Sequence, residues 1–154
     1  MTIDYLANHR DLVPELARCS FNEWRSIHEQ RGMTLEDVAH TFHQRAHSDR
    51  IPLALIALDG RKLIGTGSLK LNDSDLHPEL NPWLGGLFVV PEYRHQGVAS
   101  ALITRLLEET RRLQISVLYL WTPSAEALYA KFGWEVIEKS NFYGYAASLM
   151  KLLL

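Results

Sequence analysis

Val89-Val90-Pro91-Glu92-Tyr93-Arg94-His95-Gln96-Gly97-Val98-Ala99-Ser100 reads as a strand end, a short loop and a helix start, with Arg94-x-x-Gly97-x-Ala99 at the junction. The first N–H groups of an α-helix have no partner inside the helix, and the macrodipole leaves them partly positive. Such a start suits phosphate wherever small residues let the anion reach the backbone. Gly97 and Ala99 give that clearance, and Arg94 brings a guanidinium whose fork matches phosphate oxygens. A P-loop would need Gly-Lys-Ser/Thr and a dinucleotide fold three spaced glycines, and neither is present. The pattern predicts a diphosphate held by backbone amides, without a metal-anchoring hydroxyl.

Working outward, Trp83 to Val90 is the strand that feeds this loop, and its Gly85-Gly86 pair marks a bulge or a close backbone approach. Gly97 to Leu113 places Val98, Ala101, Leu102, Leu106, Thr110 and Leu113 on one side of a helix. Ile51 to Leu58 is a continuous apolar run, and Asp59-Gly60 is a hairpin signal before Leu63 to Leu71. The polar segment from Asn72 to Pro82 is a loop.

Near the start, Met1 to Leu6 forms a short strand. Leu12, Leu16, Cys19, Trp24 and Ile27 then mark an amphipathic helix ending near Gly32. Thr34-Leu35-Glu36-Asp37 reads as an N-cap with acids in the first turn of a second helix, whose stripe is Leu35, Val38, Ala39, Phe42 and Ala46. Ser116 to Trp121 is a strand, and Ser124 to Phe132 a short helix closed by Gly133. Trp134 to Glu138 and Gly144 to Leu153 finish as strands. The order is β-α-α-β-β-β-α-β-α-β-β, without repeats or linkers. This is one mixed-sheet α/β domain covering residues 1–154.

The composition narrows the function. A chain of 154 residues with a formal charge of -2 lacks the basic stripe that sequence-independent nucleic-acid binding requires. Cys19 is the single cysteine, so neither a disulfide framework nor a thiolate metal cluster is expected. His43 and His47 stand four apart on a helix, which a solvated face explains as well as a ligand pair does; no metal is expected. Asp4 and Arg10 among few apolar residues do not make a secretion signal, and the apolar tail from Leu149 to Leu154 is too short to span a bilayer. A cytoplasmic protein without a membrane partner is expected, with a homodimer left open.

Three segments resemble the GCN5-related N-acetyltransferase (GNAT) family. They are Leu87-Phe88-Val89-Val90-Pro91-Glu92-Tyr93-Arg94-His95-Gln96-Gly97-Val98-Ala99, Ala125-Glu126-Ala127-Leu128-Tyr129-Ala130-Lys131-Phe132-Gly133-Trp134, and Ala147-Ser148-Leu149-Met150-Lys151. The resemblance implies a mostly antiparallel central sheet flanked by helices, in which the strands ending near Val90 and Trp121 splay apart. Acetyl-CoA would lie in the gap as acyl-donor co-substrate. Leu87, Phe88 and Val89 would meet its pantetheine arm, and His95, Gln96, Gly97, Val98, Ala99 and Ser100 would wrap its pyrophosphate. Two positions depart from the family pattern. Ala99 replaces the final loop glycine, and Thr122 replaces an asparagine that often contacts the cofactor.

The implied reaction moves an acetyl group directly to a primary amine of a small molecule or peptide. A lysine-like amine is neutral only about once in 2,500 molecules at pH 7, a deficit of roughly 4–5 kcal/mol, so a base or a water chain leading to one is needed. Tyr129 is the family's candidate donor to the leaving thiolate, since an ordinary phenol stays protonated at neutral pH. The central strand carries no carboxylate. Glu79 or Asp75, in the loop before it, would serve as the base, and together they would favour a cationic amine. The acceptor pocket nominates Phe21, Trp24, Glu29, Trp83 and Tyr143, with Trp24 and Trp83 foremost as large aromatics beside an amine. A non-catalytic acyl-CoA sensor or interaction module is the alternative; it would keep the phosphate loop without needing Tyr129.

Overall fold

The structure is a computed structural model that describes residues 1–74 and 76–154. Its strands are β1 (Thr2–Tyr5), β2 (Leu53–Asp59), β3 (Lys62–Lys70), β4 (Trp83–Val89), β5 (Val117–Thr122), β6 (Glu135–Phe142) and β7 (Tyr145–Leu153). They form one sheet in the order β1-β2-β3-β4-β5-β7-β6. Neighbours are antiparallel throughout except β4 and β5, which run parallel. Gly60 turns the β2–β3 hairpin with a φ of 60°, the left-handed geometry that the Asp59-Gly60 pair foretells.

The helices are α1 (Val13–Glu23), α2 (Arg25–Gln30), α3 (Leu35–Gln44), α4 (Val98–Arg112) and α5 (Glu126–Ala130). One helix was expected up to Gly32, but the chain breaks it at Trp24, whose φ of -115° and ψ of 36° leave the helical region. Apolar spacing runs through the break because Ile27 falls back near the same stripe. The Trp24 ring instead turns edge-on to Phe88, with 6.4 Å between centroids. Thr34 caps α3 as expected, and Asp37 answers it: Asp37 N–H donates to Thr34 Oγ1, and Thr34 N–H to the Asp37 carboxylate. His47 lies past the end of α3, its Nδ1 2.8 Å from the Pro52 carbonyl oxygen.

The period-two alternation of β2 divides the core. Leu53, Leu55 and Ala57 face one cluster with Leu102, Ile103 and Leu106 of α4, while Ala54, Ile56 and Leu58 face the other with Leu16, Val38 and Phe42 of α1 and α3. Two glycines of β3 let α4 lie close. A Cβ on Gly65 would stand 3.2 Å from Leu102 Cδ1, and one on Gly67 2.8 Å from Leu106 Cδ1. The far end of α4 is tied down by Glu109, which accepts from Tyr5 Oη at 2.7 Å, Arg105 Nη2 at 2.9 Å and Arg112 Nε at 2.8 Å. Burial pushes the Glu109 carboxyl up, but these donors outweigh it and hold the group below its ordinary value. The start of α4 is thereby aimed at the end of β4.

Candidate active site

β4 and β5 are joined at one end only. Trp83 pairs with Tyr119, whose N–H donates to the Pro82 carbonyl at 3.1 Å. Past that pair, no further ladder joins them among the described residues. Backbone groups on the two inner edges are left available to a guest. β4 also bulges: Ser68 faces Gly85 while Thr66 faces Phe88, so the strand fits an extra residue there. Gly86 takes up the irregularity with a φ of 64°, a conformation cheap only for glycine.

Beyond the open end of β4 lies the start of α4. Gly97, with a φ of 85°, precedes the first helical residue, and no side chain caps the turn. The Ala101 N–H bonds to the Gly97 carbonyl at 3.0 Å, which leaves the amides of Val98, Ala99 and Ser100 outside the helical ladder. A Cβ on Gly97 would meet nothing within 4 Å, and residues 94–97 are exposed. His95 is also left-handed, with a φ of 63°. Left-handed residues in such a loop turn successive N–H groups toward one concavity, the geometry that holds anions.

Arg94 is engaged elsewhere. Its Nε donates to the Val89 carbonyl at 2.9 Å, Nη2 lies 3.5 Å from Glu23 Oε2, and the guanidinium stands 5.9 Å from the Phe88 ring. Its side chain fastens the loop to the strand end and to α1, whereas the sequence had pointed to a fork for phosphate oxygens. The groups left open at this turn are therefore backbone amides.

A cleft of about 380 Å³ opens where β4 and β5 part, with residues 84–87 along one side and 121–125 along the other. Tyr129 lines it and is 5% exposed, its ring edge-on to Trp134 at 5.9 Å. Burial alone pushes the phenol above its ordinary range, so it is protonated at neutral pH. Thr122 also lines the cleft, but its Oγ1 accepts from the Ala125 N–H at 2.8 Å and so shapes the turn into α5.

The inner end of the cleft is strongly charged. Lys70 pairs with Asp73, their side chains 16% and 14% exposed. Burial lowers the Lys70 ammonium, Asp73 opposes this, and Arg45 adds to the lowering. Burial also draws the Arg45 guanidinium down to about 10, so it stays charged at neutral pH; it lies 5.0 Å from the Phe42 ring centroid, and Nη1 donates to Ser68 Oγ at 3.3 Å. The Arg31 guanidinium sits 4.6 Å from the Tyr143 ring. His28 is held below its ordinary value by burial first, then by Arg31, Lys70 and Arg45.

Of the residues nominated from sequence, Trp24, Leu87, Thr122 and Tyr129 meet in this cleft. Phe88 and Val89 are buried at the end of β4, opposite Thr66 and Gly65. Trp83 does not line the cleft: it is wholly buried at the β4–β5 junction, with Nε1 donating to the Leu80 carbonyl and its ring 5.7 Å from Tyr119. Tyr143 sits at the β6–β7 turn with a φ of 51° and lines a neighbouring hollow with Arg31 and Asp73. Phe21 stacks on His28 at 5.8 Å, and Glu29 is exposed, 3.7 Å from Arg25.

Glu79 is likewise outside the lining, 3.0 Å from His77 Nδ1, while His77 Nε2 lies 2.9 Å from Glu138. Asp75 lies outside the described residues. His28, Arg31, Arg45 and Lys70 were not singled out in the sequence. A lysine closing an apolar strand and an arginine closing a helix are the faint signals there, and neither says that the two meet. Among the described residues, no group of three His, Cys, Asp or Glu side chains is placed to hold a metal ion.

The family model for the GNAT acetyltransferases matches residues 11–134, and the chain belongs to that family. No curated protein matches it in sequence. Among solved structures, it is similar to an aminoglycoside 6'-N-acetyltransferase complexed with coenzyme A: 16% identity, TM-score 0.76, covering 99% of this chain and 97% of that one. A putative acetyltransferase from Salmonella typhimurium with acetyl-CoA gives 17% identity, TM-score 0.71 and coverage of 99% and 92%. A spermidine N-acetyltransferase chimera that includes Vibrio cholerae sequence gives 21%, 0.71, and coverage of 99% and 94%. At these identities the likeness establishes the shared fold. No helix among the described residues is long and apolar enough to cross a membrane.

Proposed function

We propose that the protein transfers the acetyl group of acetyl-CoA directly to a primary amine of a small molecule or peptide. The observation that carries this is the parting of β4 from β5 beside an uncapped, open helix start. Family membership and the coenzyme A carried by similar structures support the same donor. The amides of residues 98–100 suit the diphosphate, and the free inner edge of β4 around Leu87 and Phe88 suits the pantetheine amides.

In the transfer, a C–N bond forms as the C–S bond breaks. Tyr129, kept protonated by burial, gives its proton to the departing sulfur. The amine's proton leaves in the opposite sense. Glu79 and His77 stand at the rim, where His77 lies 6.3 Å from Trp121 of the cleft wall, so they receive that proton through water.

A sensor that binds acyl-CoA without turnover would keep the open helix start but have no use for a protonated phenol in the cleft. Coenzyme A release from acetyl-CoA in the presence of pooled amines separates the two readings. Turnover with any amine supports the transferase; tight binding of acetyl-CoA with no turnover across the pool supports the sensor.

A further inference from the structure

The charge of the acceptor end points to an acceptor class. Five charged side chains line the cleft among the described residues: Glu23, Asp73, Arg31, Arg45 and Lys70. Asp73 is committed to Lys70, and Glu23 faces Arg94 on the outer side. Among the described residues, neither the Arg31 nor the Arg45 guanidinium is in an ion pair; the carboxylate acting on Arg45 is Asp73, which is already paired with Lys70. Arg45 donates to one neutral hydroxyl, and Arg31 lies over a ring with its Nε buried and unpaired among the described residues. A guanidinium presents five N–H donors in a plane, and a half-buried one short of acceptors is suited to a carboxylate or phosphate.

The backbone makes room at the same place. A Cβ on Gly86 would stand 3.7 Å from Arg45 Nη1, and one on Gly85 only 2.9 Å from Lys70 Cδ and 3.0 Å from Asp73 Oδ2. The Gly-Gly bulge thus lets the cationic cluster lie against the strand. This cluster is not the diphosphate site. Gly86, beside Arg45, precedes Val89 by three residues of β4, about 10 Å of strand, and the uncapped turn at Gly97 lies beyond that strand end.

Resting on the acetyl-transfer reading, we propose that the acceptor is an amine carrying its own anionic group, a carboxylate or phosphate, which docks on Arg45 and Arg31 beside Gly86 while the amine faces Leu87 and Tyr129. The acidic rim first expected to draw a cationic amine does not line this end: Glu79 is paired with His77. Polyamines and aminoglycosides would place further positive charge against two arginines.

The test has two arms. In the first, kcat/KM is compared between amino acids and their amides, and between phosphoethanolamine and ethylamine, with spermidine as the cationic control. The expected result is at least a tenfold preference for the anionic member of one pair, largely in KM. Arg45→Met and Arg31→Met should each abolish it, while Arg111→Met on the exposed face of α4 keeps it. The carboxylate and phosphate pairs tell the two anions apart. Equal rates within both pairs, or spermidine as the best acceptor, overturn the proposal.

The second arm needs no turnover. N-acetylglycine and N-acetylglycinamide, with phosphoethanolamine and ethylamine beside them, are titrated by calorimetry into wild type and Arg45→Met. Tighter binding of an anionic member to wild type alone supports the anion site even if no amine is acetylated, an outcome that would count against the transferase reading by itself. Equal binding within both pairs overturns the anion site whatever the activity.

Discussion

The two ends of β4 are built on opposite plans. At the Val89 end the groups proposed for the cofactor are backbone amides, contiguous in sequence and left open by Gly97. At the Trp83 end the groups proposed for the acceptor are side chains from the residues that close α2 and α3, from β3 and from the loop after it: Arg31, Arg45, Lys70 and Asp73. A backbone site can be written into six consecutive residues, because helix geometry does the placing. A side-chain site of this kind exists only after the sheet has formed. On the proposed reading, the first plan suits a cofactor shared by a family, and the second leaves the acceptor free to vary.

The largest effect that would break this contrast is at Tyr129, which lies between the two ends. Tyr129→Phe should lower kcat by roughly 10²-fold or more with acetyl-CoA affinity almost unchanged, as a lost proton donor requires. An unaltered kcat at saturating amine removes the phenol from the mechanism. Next comes Gly97→Val, which asks a β-branched residue to adopt a φ of 85° and narrows the open turn. Acetyl-CoA affinity should fall at least tenfold, with a folding penalty of about 1–2 kcal/mol, and preference among acceptors should not move. Calorimetry with acetyl-CoA and an acceptor panel read the two halves separately.

A third substitution, remote from both ends, calibrates them. Glu109→Gln removes a buried carboxylate that three donors hold below its ordinary value. Thermal unfolding at pH 7 should show a loss of about 3 kcal/mol, with kcat little changed at a temperature where the variant is folded. The sign follows from linkage. A carboxyl depressed in the folded state stabilises above its unfolded pKa of about 4.3, and that contribution is lost as pH falls through the lower folded value. The acid limb of wild-type stability should therefore flatten in the variant.

The smallest effect concerns His77, which the Glu138 and Glu79 side chains hold above its ordinary value. Its contribution is full below about pH 6.5 and lost as pH rises through the raised folded value. Amide exchange at residues 76–80, corrected for intrinsic rate, should accelerate across that window, and His77→Gln should show no such step.

The strands, the α4 helix and its uncapped start were legible in the sequence because each follows from a local rule: a continuous apolar run for β2, the Asp59-Gly60 turn, and small residues at a helix start. The break at Trp24 was not, since an apolar stripe continues on either side of it. Arg94 misled for a related reason. Its charge suits phosphate, yet the Val89 carbonyl and Glu23 lie nearer to its guanidinium once the loop is folded. Trp83 has the right chemistry for an amine but anchors the junction from which β4 and β5 diverge. Arg45 and Lys70 are 25 positions apart, and no periodicity links them.

Backbone amide shifts of the labelled protein titrated with acetyl-CoA test the central claim most directly. The account predicts the largest changes at Gly97, Val98, Ala99 and Ser100, smaller ones at Leu87 and Phe88, and little at Arg31, Arg45 and Lys70. Changes concentrated at those three cations, with residues 97–100 unmoved, would contradict it.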